Sequence, residues 1–331
     1  MVALGSTLKK IIVVMLAVAS LIAPNYFTDT NKANEPMNPD KCLLNIAAVS
    51  DTHVEQDGND GYNDMIFELF MSDLESAEQK ADALIVAGDV THHGEEGEWK
   101  YTQKLFSQYD PAEKIYLALG NHDTWTEEGK KTSSQLFTEY SRKITGKKLT
   151  NAYHATKING YYFIFLASEK DGTDAYFSQK QLNWLDAHLK NASKAGKPIF
   201  VISHWPMNKT HGLPETWGEE EYTDMTGGMG KQSAKVKKIL NKYDEDIILI
   251  SGHIHSGFSK DAAKNGYKSV EKYGNITSVN LPTVNAISKR GHFMLGTGYN
   301  IEVYKDRILF RARNYAAGCW LPEYDFTLKI K

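Results

Sequence analysis

The chain has 331 residues, of which 41% are hydrophobic and 24% are charged, and its formal net charge is −3. This length can bury a large core in one domain or two, and the composition excludes collagen, a coiled coil and a wholly disordered chain. Because 38 basic residues stand against 41 acidic ones, no nucleic-acid-binding surface is expected from the overall charge. Affinity for phosphate would have to come from a local site.

The first 23 residues differ from the rest and predict an export signal. Lys9 and Lys10 precede the apolar run Ile11–Ala19, and small residues lie at its end. The run is shorter than the roughly 20 residues of a membrane span, so we predict a signal peptide. An uncleaved anchor that attaches the protein to the membrane is the alternative. Residues 24–40 read as a polar linker, and residues 41–331 as the domain of a secreted or cell-surface protein.

Two cysteines, Cys42 and Cys319, stand near the two ends of the expected domain. In an exported protein an even number of cysteines favours a disulfide. Two small buried thiols are an equally good interpretation, since free cysteine is often buried. The separation along the chain gives no distance in space, so both interpretations stay open.

Apolar runs of strand length alternate with amphipathic segments over most of the chain. The runs are Leu44–Val49, Ala83–Ala87, Ile115–Leu119, Tyr161–Ala167, Pro198–Ser203 and Ile247–Ser251. The helical patterns are Asp64–Lys80, Glu95–Tyr109, Ser133–Lys143, Gln179–Ser193 and Gln232–Lys242. Continuous apolar strands separated by amphipathic helices predict parallel βαβ units. After about Ile276 short antiparallel strands are expected instead, so we predict an α/β fold with a second sheet packed on the first.

Polar motifs directly follow five of the predicted strands. They are Asp51-Thr52-His53, Gly88-Asp89, Gly120-Asn121-His122-Asp123, Ser203-His204 and Gly252-His253-Ile254-His255. Taken singly, a helix cap, a turn or a core histidine would explain most of them. Ligands of open α/β sheets bind at the carboxyl ends of the strands, so five polar motifs at successive strand ends predict one common site.

The side chains of these motifs offer carboxylate, amide and imidazole ligands without thiolates. Such a set suits divalent transition metals such as Mn, Fe or Zn better than a cysteine-rich structural zinc site. Seven ligands are too many for one catalytic ion but fit two ions that share a bridging ligand. Two such ions could hold the attacking and leaving oxygens of a phosphoryl displacement.

In this order and with these gaps, the motifs resemble the calcineurin-like metallophosphoesterase superfamily, from Asn45 to the end of the chain. The resemblance implies a four-layer α/β/β/α sandwich of two mixed sheets flanked by helices. It also implies two bound divalent ions and a small-molecule phosphoester substrate. The implied ligands are Asp51, His53 and His255 for the first ion, Asn121, His204 and His253 for the second, and Asp89 as the bridge.

The resemblance further implies that His122 is a catalytic histidine that binds no metal and that Asp123 orients it. Purple acid phosphatases have a metal-binding tyrosine three residues after the bridging aspartate, where this chain has His92, so no tyrosinate–iron site is expected. Asn121 and His92 are candidates for contact with the substrate. For His92, an exposed position at a helix start is the alternative.

Two further segments look like particular branches of the superfamily. Trp184-Leu185, on the helix before the His204 strand, is similar to bacterial cyclic-nucleotide-phosphodiesterase-like members. The segment Cys319–Asp325 is similar to exported bacterial members. Because subfamilies share the motifs and differ in their loops, the branch is the less specific part of the resemblance.

The expected reaction is in-line attack on phosphorus by a hydroxide that bridges the two metals, with His122 as the general acid. The acidic loop Trp205–Gly230, which contains Glu219, Glu220 and Glu221, favours a phosphodiester over the more negative monoester. A phosphomonoesterase or nucleotidase is the alternative enzyme. A non-catalytic metal-binding scaffold on the same fold is the alternative from another class.

Overall fold

The fold is described from a computed structural model, which covers residues 33, 36–55, 62–126, 131–216, 226–258, 260–264, 266–285 and 295–331. The expected export signal and most of the expected linker lie outside these residues, and both stay predictions. Among the described residues, no helix has the length and apolar character needed to span a membrane.

The first sheet has seven strands and contains the N-terminal and C-terminal parts of the domain. Its strands are β1 (Leu44–Val49), β2 (Ala83–Val86), β3 (Ile115–Leu117), β10 (Thr297–Val303), β11 (Arg307–Asn314), β12 (Cys319–Trp320) and β13 (Phe326–Lys329). The order is β12-β11-β10-β1-β2-β3, with β13 also paired to β11. Strands β1, β2 and β3 are parallel, whereas β10 runs antiparallel to β1. The carboxyl ends of β1 and β2 therefore lie side by side.

The second sheet has six strands from the middle of the chain. They are β4 (His154–Ile158), β5 (Tyr161–Phe165), β6 (Ile199–Ile202), β7 (Ile247–Ser251), β8 (Val270–Tyr273) and β9 (Ile276–Asn280). The order is β4-β5-β6-β7-β9-β8, in which β5, β6, β7 and β9 are parallel and the two edge strands are antiparallel to their neighbours. Strands β6 and β7 carry the last two motifs on adjacent carboxyl ends.

Six α-helices accompany the sheets within the described ranges. They are α1 (Tyr62–Glu75), α2 (Glu96–Phe106), α3 (Ser133–Thr145), α4 (Gln179–Ser193), α5 (Ser233–Leu240) and α6 (Lys260–Lys264). Each sheet buries both of its faces: Ala47 and Val49 of β1 pack with α1–α3, while Ile46 and Ala48 meet β5 and β6 of the second sheet. A third core cluster lies between the second sheet and α4 and α5. The result is the four-layer α/β/β/α sandwich that the resemblance implied.

All six predicted apolar strands are present, and the antiparallel C-terminal strands are confirmed. The prediction missed β4, β8, β12 and the short helix α6. It also missed β9, which starts at Ile276, where antiparallel strands were expected, but runs parallel to β7. Strand β9 reads Ile-Thr-Ser-Val-Asn and is fully buried, so its polar residues hid a core strand from a search for apolar runs. Strand β8 is an edge strand with only partly buried side chains, which gives a weak alternation.

The two cysteines are free thiols in the structure, so the disulfide interpretation is wrong there. The Cys42 thiol donates a hydrogen bond to the backbone carbonyl of Leu44, with 3.3 Å between sulfur and oxygen. Burial, assisted by Glu302, raises the pKa of Cys42 to about 11. Cys319 packs against the core cluster between the two sheets. Both residues therefore act as small half-buried side chains.

A buried ion pair links helix α1 to strand β11. The Arg313 guanidinium donates two hydrogen bonds of 2.7 Å to the carboxylate of Asp73. The side chains of Arg313 and Asp73 are only 2% and 12% exposed. Burial raises the pKa of Asp73 despite the opposing effect of the guanidinium, which shows how strongly this carboxylate is desolvated. The pair fixes the first helix on the C-terminal part of the first sheet.

We expect Asp73→Ala to destabilise the fold by about 3–5 kcal/mol, because the buried guanidinium loses its charged partner. Urea denaturation followed by circular dichroism measures the change. Asp110→Ala is the matched control, because Asp110 and its partner Lys80 are 69% and 35% exposed. Removing such a surface pair should cost about 1 kcal/mol or less. Equal effects of the two substitutions would contradict the importance of the buried pair.

Candidate metal centre

The five motifs meet where the carboxyl ends of the two sheets face each other. Past the end of β1, the backbone N–H groups of Asp51 and His53 donate to the carbonyls of Gly88 and Asp89, so the first two motifs stay paired. The N–H of Gly252 donates to the carbonyl of His204 and joins the last two motifs in the same way. The backbone therefore holds four of the five motifs as two pairs, one on each sheet.

Two hydrogen bonds connect the sheets directly at this point. His204 Nδ1 lies 2.9 Å from the carbonyl oxygen of Ala87, which precedes the second motif. The backbone N–H of His253 lies 3.2 Å from Asp51 Oδ2. Protein hydrogen bonds alone thus fix residues that are more than a hundred positions apart in the chain.

Asp51, His53, Asp89 and His255 bring four donor atoms within 4.8 Å of one another. The Nε2 atoms of His53 and His255 are 3.2 Å apart, and Asp51 Oδ1 is 3.1 Å from His255 Nε2. Asp89 Oδ2 lies 3.7 Å from His53 Nε2. This group contains the three ligands expected for the first ion together with the expected bridge.

Asp89, His204 and His253 form a second group with the same closeness of donor atoms. Asp89 Oδ2 lies 3.1 Å from His204 Nε2. Asn121 Oδ1 lies 3.1 Å from His204 Nε2 and 2.8 Å from His253 Nδ1, so its amide oxygen completes the group. All seven residues expected to bind metal come together, and Asp89 belongs to both groups.

The donor atoms fit two divalent cations. Two imidazole nitrogens that bind one ion at about 2.0–2.1 Å lie about 3.0–3.4 Å apart, which matches the approach of His53 to His255. The buried Oδ2 atom of Asp89 accepts no well-formed hydrogen bond from the described residues, although it faces the imidazoles of both groups. A buried carboxylate oxygen in this position calls for a cation on each side.

The charges of the centre respond to burial and to the two carboxylates. Burial lowers the pKa of His204, but the adjacent Asp89 and Asp51 outweigh this effect and raise it to about 9. Burial, with neighbouring imidazoles, holds the pKa values of His53 and His253 well below the usual range. Without metal, the two carboxylates therefore favour the protonated form of His204. Binding of divalent cations would displace its proton, so metal affinity is expected to rise with pH.

Backbone strain is concentrated in the candidate ligands. Eight non-glycine residues of the described chain have positive φ, and five of them are expected ligands. Those five are Asp51 (58°), His53 (41°), Asp89 (48°), His253 (75°) and His255 (55°). Such conformations cost about 1–3 kcal/mol each and persist only where the surroundings impose them. The strand ends turn sharply here and present the side chains to a common point.

Three glycines of the motifs are required by space, and a Cβ at the first of them, Gly88, would lie 2.6 Å from His204. A Cβ at Gly120 would overlap the carboxylate and the backbone nitrogen of Asp89. A Cβ at Gly252 would overlap Ser50 and the carboxylate of Asp51. The ligand of one motif thus occupies the volume that a side chain on the neighbouring motif would need.

His122 lies at the edge of the first group with one side of its ring fixed. Its backbone N–H donates to Asp89 Oδ1 at 2.9 Å, and its Nδ1 lies 2.7 Å from the carbonyl oxygen of His92. The centroid of its ring is 4.5 Å from that of His53 and 3.7 Å from that of Trp125. With Nδ1–H donated to the carbonyl, Nε2 is the atom left for chemistry.

The expected role of Asp123 in orienting His122 is wrong. The Asp123 carboxylate is fully buried and accepts hydrogen bonds from the N–H groups of Thr91 and Gly120, from the Thr91 hydroxyl and, at 3.3 Å, from the N–H of Val90. The carbonyl of His92 takes the place beside the ring. Asp123 instead joins the loop after β2 to the loop after β3. These two loops carry Asp89 and Asn121, so the buried carboxylate holds both residues in place.

His92 lies at the rim of the centre, as a residue facing substrate would. Its Nδ1 is 3.4 Å from Nδ1 of His53, and its Nε2 is 3.2 Å from Glu55 Oε1. Sequence reasoning missed Glu55, Glu98 and Trp125, which surround His92, His93 and His122. Glu98 could have been found from the Glu95-x-x-Glu98 capping box that starts α2.

A cavity of about 860 Å³ borders the centre without containing it. Leu119 and Thr124, on either side of the Gly-Asn-His-Asp motif, are among its lining residues, but no candidate ligand is. We assign the chemistry to the ligand cluster, because its donor atoms converge on common points. The cavity is lined by a mixture of apolar, hydroxyl and charged side chains. The cavity offers room beside the centre rather than at it.

The fold brings together two groups of side chains that could each hold a divalent cation, and Asp89 belongs to both groups. Residues 44–257 match the family model described as calcineurin-like phosphoesterase. The match covers more than half of the chain, and the chain belongs to this family. It is therefore a metal-dependent phosphoester hydrolase, and the family binds two divalent metals.

Similar proteins agree with this assignment. A probable glycerophosphodiester phosphodiesterase from Arcobacter nitrofigilis is 25% identical over 215 residues, which are 63% of this chain and 71% of the relative. A sphingomyelinase phosphodiesterase C from Dictyostelium discoideum is 27% identical over 172 residues, or 43% of this chain and 38% of the relative. The crystal structure of a dimetal phosphatase from Danio rerio has a TM-score of 0.54 at 12% identity. It aligns with 88% of this chain and 100% of its own. That likeness supports the fold.

We expect Gly120→Ala to lower the metal content of the reconstituted protein, because the added methyl group would displace the shared Asp89. Inductively coupled plasma mass spectrometry after loading with Mn²⁺ measures the ions per chain, and circular dichroism checks the fold. Gly146→Ala is the control. Nothing lies within 4 Å of the methyl group there, although its positive φ should still cost about 1 kcal/mol of stability. Full metal content in Gly120→Ala would contradict the shared role of Asp89.

Proposed function

We propose that the protein is a phosphodiesterase in which seven side chains hold two divalent cations of Mn, Fe or Zn. The ligands are Asp51, His53 and His255 for one ion, Asn121, His204 and His253 for the other, and Asp89 for both. The observation that carries the proposal is the position of the buried Asp89 carboxylate between two groups of donor atoms. When bound, such cations supply a nucleophile activated from water and positive charge for the phosphoryl oxygens.

The charge around the centre favours a diester substrate. The leading electrostatic effects on the pKa values of Asp89, His122 and His204 come from other Asp and His residues, with no lysine or arginine among them. A diester carries one negative charge near neutral pH, whereas a monoester carries nearly two and would want an additional cation. Two of the relatives are named as phosphodiesterases, which points in the same direction.

His122 is the residue placed to assist the leaving group. Its Nδ1–H is held by the His92 carbonyl, and its ring lies between His53 and Trp125. Nε2 can hold a proton for the departing alkoxide, which is the contribution of a general acid. Burial lowers the pKa of His122, so the acid form exists mainly at pH values below the usual 6.5.

A substrate panel on the full chain tests the proposal. After reconstitution with Mn²⁺, Zn²⁺ or Fe²⁺, kcat/KM for bis-p-nitrophenyl phosphate should exceed that for p-nitrophenyl phosphate by about tenfold or more, that is about 1.4 kcal/mol. Asp89→Asn should be inactive on both. A preference for the monoester would overturn the diester assignment and favour a phosphomonoesterase. No hydrolysis with any of the ions would favour a metal-binding scaffold.

We expect His122→Ala to lose about 10²–10⁴-fold in kcat on a dialkyl ester such as glycerophosphocholine, because an alkoxide needs a proton to leave. The loss on bis-p-nitrophenyl phosphate should be much smaller, since nitrophenolate leaves without one. Metal content should stay at the wild-type value. Loss of metal from His122→Ala would show that this histidine is a ligand instead.

The pH dependence supplies a separate check on His122. A general acid works in its protonated form, so its contribution disappears as the pH rises through its pKa, which burial places below about 6.5. The wild-type rate on the dialkyl ester should therefore fall relative to the nitrophenyl ester as the pH rises across this acidic range. His122→Ala should show the same pH profile for both esters. Parallel profiles in the wild type would refute the general-acid role.

A further inference from the structure

A further group of side chains that could bind a metal lies at the rim of the centre, outside the seven candidate ligands. Glu55, His92 and His93 each offer one donor atom, and these atoms lie within 4.8 Å of one another. The closest pair is Glu55 Oε1 and His92 Nε2 at 3.2 Å. Two ligands of one ion at about 2.0–2.2 Å are separated by about this distance. Two imidazoles and one carboxylate are a ligand set that zinc and similar dications bind with positions left open for other molecules.

The imidazole of His93 is held by a buried carboxylate. Glu98 Oε1 lies 3.1 Å from His93 Nδ1, and Glu98 Oε2 accepts a 2.7 Å hydrogen bond from the His93 backbone N–H. The Glu98 side chain is 7% exposed, whereas His93 is 53% exposed. A carboxylate behind an exposed imidazole is the support that metal-binding histidines commonly have. Glu98 also belongs to the capping box of α2, so the same carboxylate caps the helix and would hold the His93 ring in place for a metal.

The rim group is adjacent to the two-metal centre but separate from it. His92 faces His53 with Nδ1 and faces Glu55 with Nε2, so its two nitrogens point to different partners. His53 faces Asp89 and His255 with its own Nε2. An ion on His92 Nε2 would therefore be bound on the far side of the His53 ring from the shared carboxylate.

We propose that Glu55, His92 and His93 bind a third divalent cation at the rim of the active site. This ion would fix the residue whose carbonyl oxygen positions His122, since that carbonyl belongs to His92. It would also add positive charge near the leaving group, because the ring centroids of His92 and His122 are 5.3 Å apart. Among the described residues, the leading charge effects on the pKa values of Asp89 and His122 come from histidines and carboxylates rather than from lysine or arginine. The third ion would therefore improve hydrolysis of doubly charged phosphate esters more than that of diesters, a consequence that rests on the proposed function.

The test counts ions rather than turnover. The full-length protein, freed of metal with a chelator, is dialysed at equilibrium against Zn²⁺ alone, and bound zinc is measured per chain. We expect three equivalents in the wild type and two in Glu55→Gln and in His93→Asn. His188→Asn, which changes a half-buried histidine on α4, is the matched control and should keep three. Glu98→Gln retains all three ligands and should weaken the third equivalent by about 10–100-fold.

The outcomes separate the two proposals. Two equivalents in the wild type and in His93→Asn alike would overturn the third site and leave the two-metal centre intact. Three equivalents in both would also overturn it. One equivalent in the wild type that disappears in His93→Asn would support the rim site and reject the two-metal centre. Activity adds a further check, since rising Zn²⁺ should raise the ratio of monoester to diester hydrolysis in the wild type but not in His93→Asn.

Discussion

The buried carboxylate of Asp89 is the constraint on which the rest of the centre depends. One oxygen accepts the backbone N–H of His122, and the other faces imidazoles from both donor groups. Gly120 must lack a side chain because this carboxylate fills the space. The residue itself has a positive φ, so the backbone accepts strain to place it. A buried negative charge in such surroundings is stable only with cations beside it, which joins the fold to its chemistry.

The two-sheet architecture provides that arrangement. Strands β1 and β2 bring one pair of motifs to an edge of the first sheet, and β6 and β7 bring the other pair to an edge of the second. The hydrogen bond between His204 and the carbonyl of Ala87 sets the distance between them. Because both faces of each sheet are packed, a one-residue slip in register would move side chains from one core layer into the other, where their shapes do not fit. The packing of the core thus fixes the spacing of the ligands.

The sequence predicted that the motifs converge, because motifs at successive strand ends follow a simple rule of parallel sheets. The assignment of seven of these residues as metal ligands came from the family resemblance and stays a prediction. Continuous apolar runs predicted the core strands, because parallel strands are buried on both faces. Partners within the centre were harder to predict. Nothing in the sequence around Asp123 shows whether its carboxylate orients a histidine or accepts backbone N–H groups. The fold shows that it accepts hydrogen bonds from Thr91 and Gly120. Strand β9 was hidden by its buried Thr, Ser and Asn residues.

The neighbourhood of His122 shows how charge could divide substrates within one fold. The seven ligands and His122 meet the needs of any phosphoester, so they cannot select between mono- and diesters. Selection must come from charge placed around the reacting phosphate, and the strongest effects there come only from carboxylates and imidazoles. An ion bound by Glu55, His92 and His93, as proposed above, would add positive charge at the rim. If the rim residues beside His122 bind an ion, the concentration of that metal would set the preference between mono- and diesters. A fixed lysine or arginine could not be regulated in this way.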